Sequence, residues 1–296
     1  MTDLLRPNLF IVGYPKTGTT SLFQMLAKHP NISPASNKES GDWKKLTNFN
    51  PDELGAYESY LGQFSHCENA KYYLDGSTRY IINNESARTI KKFSPNAKII
   101  IGLREPIAYL AALCWQIGRN EGLQRDFKED LRSQSDYTTP NYFASVNRYI
   151  TEFGFDSVFV FALEELHHAK TVNAIFEFLE LDLHTTEMPR ENISFLGKSA
   201  AHEKIYNYLI YGALAGKLRN LIKAVLFKNM PALRQNFDSV FLKKANYKEQ
   251  LIRKYPELAH ETKLRFHDDV CQLSDLLSKD FNTLLGYTKH QLKMPE

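Results

Sequence analysis

Short unbroken apolar runs alternate along this chain with longer stretches in which apolar residues recur every three or four positions. The unbroken runs are Leu9-Phe10-Ile11-Val12 leading into Gly13, then Tyr72–Asp75, Lys98–Arg104 and Ser157–Ala162. The first shows no polar alternation, so it predicts a strand covered on both faces, and the other three read as strands. Between them the spacing turns helical. Leu22, Met25, Leu26 and His29 share one side of a helix that His29-Pro30 ends. Residues 51–65 place Leu54, Tyr57, Tyr60 and Leu61 on one face, with Pro51-Asp52 as a start signal. Helices are also predicted over Asn84–Phe93, Ile107–Arg119, Asn141–Phe153 and Glu164–Leu179. Strands that alternate with helices predict a parallel sheet with helices on both faces.

Other stretches carry a different pattern. Asn31–Glu39 reads as a polar loop, and Gln124–Thr139 as a charged surface excursion. No strand is expected beyond Asn192. Residues 203–228 read as helical, and so does the tail from Tyr247, with Leu258, Leu264, Val270, Leu273, Leu276 and Leu277 at near-helical spacing. No repeat or linker interrupts the chain. The expectation is one domain over 1–296, with an α/β core at 8–190 and a mostly helical part at 191–296.

Composition narrows the class. The 296 residues are 43% hydrophobic and 24% charged, ordinary for a globular α/β protein. A net charge of +3 suits an anionic ligand but is too small to argue for nucleic-acid binding. No apolar run is long enough to span a bilayer, and Met1–Pro7 lacks a signal-peptide core. Cys67, Cys114 and Cys271 are widely spaced and odd in number, which suits a reducing compartment and no metal site. The chain is therefore expected to be cytoplasmic.

Chemistry concentrates in Gly13-Tyr14-Pro15-Lys16-Thr17-Gly18-Thr19-Thr20-Ser21, between the first strand and the first helix. Such a loop can aim several backbone N–H groups at one point, where the helix N-terminus adds partial positive charge. Lys16 adds a full charge. The ligand implied is a phosphate or sulfate group. A nucleotide-triphosphate P-loop places its lysine directly after the second glycine. Here Thr19 follows Gly18, and the lysine comes earlier. Arg104 ends a buried strand at the edge where open α/β sheets bind ligands, and its guanidinium can grip a phosphate. An ion pair with Glu105 or another carboxylate is the alternative.

The stretch Pro15–Leu22 resembles the 5′-phosphosulfate loop of sulfotransferases that use 3′-phosphoadenosine 5′-phosphosulfate (PAPS). Leu103-Arg104-Glu105-Pro106 resembles the opening of their 3′-phosphate motif, although the serine expected eight residues after the arginine is Ala112. In the carbohydrate members of heparan-sulfate type, a Lys-Glu pair beyond the loop supplies the general base. Lys38-Glu39 falls there, followed by Trp43. Asp75-Gly76-Ser77-Thr78 stands where the family often has a Glu-Lys pair, and the lysine is absent. Asn192–Ser199 resembles the segment that folds over the adenosine. The resemblance implies a P-loop-like three-layer fold of the soluble bacterial type. It also implies PAPS as donor and no metal.

The implied site residues are Lys16, Thr17, Gly18, Thr19, Thr20, Ser21, Arg104, Lys198 and Ser199 for the donor, with Lys16 and Glu39 catalytic. Asp42, Asp75 and His66 are the other candidate bases. The acceptor would offer a hydroxyl, or an amine as second choice, on a carbohydrate or small natural product. A P-loop small-molecule kinase and a non-catalytic nucleotide-binding module are the competing readings. Acceptor identity and oligomeric state are not legible.

Overall fold

The computed structural model describes residues 6–39, 57–121, 140–184, 195–197, 242–244 and 247–286. The chain forms two compact units, Met1–Pro189 with Tyr247–Glu296, and Arg190–Asn246. The first unit holds a five-stranded sheet in the order β2-β3-β1-β4-β5, parallel throughout. Its strands are β1 (Leu9–Ile11), β2 (Ile32–Pro34), β3 (Tyr72–Asp75), β4 (Lys98–Leu103) and β5 (Val158–Ala162). The helices of this unit are α1 (Thr19–Leu26), α2 (Glu58–Leu61), α3 (Ser86–Phe93), α4 (Pro106–Glu121), α5 (Tyr142–Phe153), α6 (Ala169–Phe178), α7 (Tyr247–Lys254), α8 (Pro256–Leu277) and α9 (Phe281–Leu284).

The apolar runs are unbroken because both faces of the sheet are covered. Phe10, Val12, Ile99, Ile101 and Val160 face one way, packed with Phe93 of α3, Tyr149 of α5, Phe266 of α8 and Phe281 of α9. Leu9, Ile11, Leu74, Ile100 and Phe161 face the other way, packed with Leu22 and Met25 of α1 and Ile175 and Phe176 of α6. Successive strand residues thus feed opposite layers, which gives the three-layer, P-loop-like architecture with a helical C-terminal part. β1 lies between β3 and β4. The chain leaves β1 for one side of the sheet and returns through β4 on the other. That reversal opens a crevice at the carboxyl ends of β1 and β4.

Three expectations need correction. The stretch 31–39, read as loop, contains β2. This strand is three residues long, lies at the sheet edge and ends on Pro34, so no periodic signal marks it. The helix expected from Glu164 starts at Ala169, after a 3₁₀ turn over Leu163–Glu165. Strands also exist beyond residue 192. In the second unit β6 (Phe195–Gly197) pairs antiparallel with β7 (Leu242–Lys244). Two three-residue strands so far apart in sequence leave no local alternation to read. In the 51–65 stretch only residues from Tyr57 on are described, and they form α2. The segments 122–139 and 203–228 lie outside the described residues.

Candidate active site

The loop after β1 is shaped by two left-handed residues, Lys16 at φ 65° and Gly18 at φ 82°. Left-handed backbone within a short loop turns N–H groups inward, the arrangement of an anion nest. A side chain at Gly18 would be strained at this φ and would crowd two leucine side chains. A Cβ there would stand 2.7 Å from Leu163 Cδ1 and 2.9 Å from Leu166 Cδ2. Below the loop, a Cβ on Gly102 of β4 would stand 2.9 Å from Thr17 Oγ1 and 3.1 Å from Thr17 O, so the loop rests directly on the strand. Thr17 is fully buried and its hydroxyl donates to Tyr14 O at 2.6 Å. Tyr14 shares a 2.7 Å hydrogen bond with Ser145 and donates to Asn141 O at 3.3 Å, tying the loop to α5. Burial pushes the Tyr14 phenol well above its usual range, so it stays neutral.

Helix α1 begins at Thr19 with no side-chain cap and no acidic residue in its first turn. The leading N–H groups of a helix have no intrahelical partner. Here they carry the positive end of the dipole without a competing carboxylate. Thr19, Thr20 and Ser21 add hydroxyls at that end. This donor set fits a phosphate or sulfate group.

Across the crevice Arg104 follows β4. Its Nη1 donates to Lys16 O at 3.1 Å, and its own carbonyl accepts from Tyr142 OH at 2.9 Å. Burial lowers its pKa from the ordinary arginine value, opposed by the nearby Glu164 carboxylate. The Glu-Pro that follows is structural. Buried Glu105 accepts from Ala108 N at 2.7 Å and Ile107 N at 3.3 Å, capping α4 with Pro106 at its first position. Lys248 of α7 pairs with the same carboxylate at 3.2 Å. Glu105 is thus engaged by the helix start and by Lys248, while its charge, after that of Glu164, still favours the charged form of Arg104. Sequence reasoning missed Glu164, whose Oε1 accepts from Glu105 N at 3.1 Å. Ala112 is buried in α4.

Glu39 follows β2. Its Oε2 accepts from Thr78 N at 3.1 Å and from Ser77 Oγ and Thr78 Oγ1 at 3.4 Å each, while Oε1 accepts from Lys38 Nζ at 2.6 Å. The side chain is 48% exposed and open to solvent. Asp75, another candidate base, is fully buried, and its Oδ2 accepts from Tyr60 OH at 2.6 Å and Tyr80 OH at 2.8 Å. Burial first, and the Asp75 charge next, raises both phenols well above their usual range. His66 is exposed. His29 is structural: Nδ1 accepts from Asn31 N at 3.1 Å, so Nε2 is the nitrogen that donates to Asp182 O at 3.1 Å. Asp42, Trp43, Lys198 and Ser199 lie outside the described residues. Among the described residues no group of three or more His, Cys, Asp or Glu could hold a metal ion, and no helix is long and apolar enough to cross a membrane.

Comparison with known proteins gives a consistent picture. A membrane-associated sulfotransferase of Dictyostelium discoideum, kil1, is 29% identical over 140 residues, which is 45% of this chain and 29% of that protein. A bifunctional heparan sulfate N-deacetylase/N-sulfotransferase of Caenorhabditis briggsae is 33% identical over 102 residues, 34% of this chain and 11% of that protein. The chain thus spans less than a third of either curated relative. The crystal structure of a sulfotransferase from Alicyclobacillus acidocaldarius shares the fold, with a TM-score of 0.58 at 21% identity, covering 94% of this chain and 98% of that one. The model of the family described as "Sulfotransferase domain" matches residues 6–277, and the chain belongs to that family.

Proposed function

We propose that this chain transfers a sulfuryl group from PAPS to an acceptor hydroxyl, with an amine as second choice. The observation that carries the reading is the left-handed loop at the uncapped start of α1, joined by Arg104 to the carboxyl end of β4. Bound PAPS would supply an activated sulfuryl group whose leaving group is adenosine 3′,5′-bisphosphate.

The chain's own part is positioning and charge neutralisation, as in phosphoryl transfer. Backbone amides of Thr17, Gly18, Thr19 and Thr20 would cradle the 5′-phosphate, with hydroxyls of Thr19, Thr20 and Ser21 as added donors. Thr17 serves through its amide alone, because its hydroxyl is held by Tyr14 O. Lys16 would neutralise charge that develops toward the leaving phosphate. Arg104 would hold the 3′-phosphate, and partial burial of its guanidinium strengthens such a contact by excluding water. Glu39 would take the acceptor's proton. Its exposure and its place beyond β2 support that role over Asp75, whose carboxylate is shut in by two tyrosines. A carbohydrate acceptor is the reading that the Lys-Glu pair and the heparan-sulfate relative support.

The test is calorimetric titration with adenosine 3′,5′-bisphosphate, with ATP and Mg²⁺ as control. Micromolar bisphosphate binding is expected. Loss of one charge-assisted contact removes about 1.5–3 kcal/mol, so Lys16→Ala and Arg104→Ala should each weaken binding by roughly tenfold to a hundredfold. ATP bound in place of the bisphosphate would overturn the reading in favour of a kinase. Binding of neither would leave a non-catalytic module.

A further inference from the structure

Lys38 bridges two loops at the carboxyl edge of the sheet. It leaves the loop after β2 and reaches the turn after β3, where its Nζ donates to Gly76 O at 2.9 Å. The same ammonium donates to Glu39 Oε1 at 2.6 Å. Its stem passes over residue 76: a Cβ built on Gly76 would stand 3.2 Å from Lys38 Cγ and 2.7 Å from Phe23 Cδ2 of α1. The path is tight, and it stays open because residue 76 has no side chain. β3 is the direct neighbour of β1, whose following loop carries Lys16, so this turn and the anion loop share one edge.

An exposed ion pair would be worth little. This one differs, because the Lys38 side chain is only 16% exposed and also satisfies a backbone carbonyl. Without it, Glu39 keeps, among the described residues, the Ser77 and Thr78 contacts at 3.1–3.4 Å on a single oxygen, and Oε1 loses its Lys38 partner. Misplacing a reacting group by an ångström can cost on the order of a hundredfold in rate.

We propose that Lys38 is a positioning residue for the transfer step, clamping Glu39 against the 76–78 turn so that its carboxylate is held ready for the acceptor. The inference rests on the reading of Glu39 as base.

Lys38→Met, Lys38→Arg and Glu39→Gln would be compared on three readouts. These are bisphosphate affinity, hydrogen exchange of the Thr78 amide in the ligand-free chain, and release of inorganic sulfate from PAPS with water as acceptor. Lys38→Met keeps a flexible stem over Gly76 and removes the charge. It is expected to bind bisphosphate within about twofold of wild type and to expose the Thr78 amide to faster exchange. Sulfate release at saturating PAPS should fall by roughly tenfold to a hundredfold, with KM unchanged. Lys38→Arg should recover part of the rate. Unchanged Thr78 protection, or an unchanged rate in Lys38→Met while Glu39→Gln is inactive, would overturn the clamp and leave Glu39 as base. Loss of bisphosphate affinity in Lys38→Met would also overturn it, by making Lys38 a donor ligand. Unchanged release in Glu39→Gln would overturn the base reading itself, and the clamp with it.

Discussion

At the scale of single residues, Thr17 separates two uses of a hydroxyl. It sits among residues that suit an anion, yet its Oγ1 is buried and donates to Tyr14 O at 2.6 Å. Thr17→Val keeps the shape and removes the donor, which leaves a buried carbonyl without that bond. The expected cost is about 1–3 kcal/mol in unfolding free energy. Thr17→Ser should retain most of the stability. The check is the denaturant midpoint of each variant at constant m. A Val variant as stable as wild type would show that Tyr14 O finds another donor. The contrast also marks what single residues reveal in a sequence. Lys16, Gly18 and Arg104 stand out in the sequence as candidates, because a cation or a glycine in such a loop or at a strand end has few uses. The hydroxyl of Thr17 does not, because its partner depends on how the loop folds back. Glu164 and the bond from Lys38 to Gly76 were hidden for a similar reason. Their partners lie 59 and 38 positions away, and no local spacing encodes them.

Among elements, β1, β3, β4 and β5 and the amphipathic helices were readable because burial writes apolar runs into the strands and a helical period into the helices. The three-residue strands β2 (Ile-Ser-Pro), β6 (Phe-Leu-Gly) and β7 (Leu-Lys-Lys) lack the unbroken apolar run that marks the equally short β1. Helix pairing was also invisible, and Asp269 shows why it matters. This half-buried carboxylate on α8 accepts from Tyr142 N and Phe143 N at 2.8 Å each, capping α5 from another element alongside the local Asn141 cap. Asp269→Ala removes both acceptors and should cost about 1–3 kcal/mol. Burial raises the Asp269 pKa above the ordinary carboxylate value despite the two amide bonds that lower it. The native state therefore holds a proton to higher pH than the unfolded chain does. Wild-type stability should fall, relative to the non-titrating Ala variant, as pH rises through that window. The gap between the two should be widest near about pH 3.5 and narrower by about pH 7. Chemical denaturation of both proteins across that range measures it. A gap that widens toward neutral pH would mean that the amide bonds outweigh desolvation.

At the scale of the whole molecule, the first compact unit is discontinuous: its last segment, from Tyr247, returns after the second unit intervenes. Helical spacing showed that this tail has an apolar face, but not what the face meets. In the fold, Phe266, Val270, Leu273, Phe281 and Leu285 are each at most 2% exposed and lie in the same cluster as Phe10, Ile101 and Tyr149. Leu264, part of the expected apolar stripe, is 52% exposed, whereas Leu258, Val270, Leu273, Leu276 and Leu277 of that stripe pack on the core. Lys248 pairs with Glu105 at the start of α4, and Lys279 with Glu165 after β5, so both ends of the segment are fastened beside the crevice. Burying a large apolar side chain is worth about 1.5–3 kcal/mol. The five residues together contribute on the order of 8–15 kcal/mol, comparable with the roughly 5–15 kcal/mol net stability of a whole domain. A chain that ends before Tyr247 would keep all five strands of the sheet, the anion loop and Arg104, yet lose a contribution as large as its stability. It should show no cooperative unfolding transition, bind a hydrophobic dye and fail to bind adenosine 3′,5′-bisphosphate, although every proposed phosphate ligand before residue 247 is still present. A sigmoidal transition with a wild-type midpoint would instead mean that the C-terminal helices only cover a sheet already stable without them.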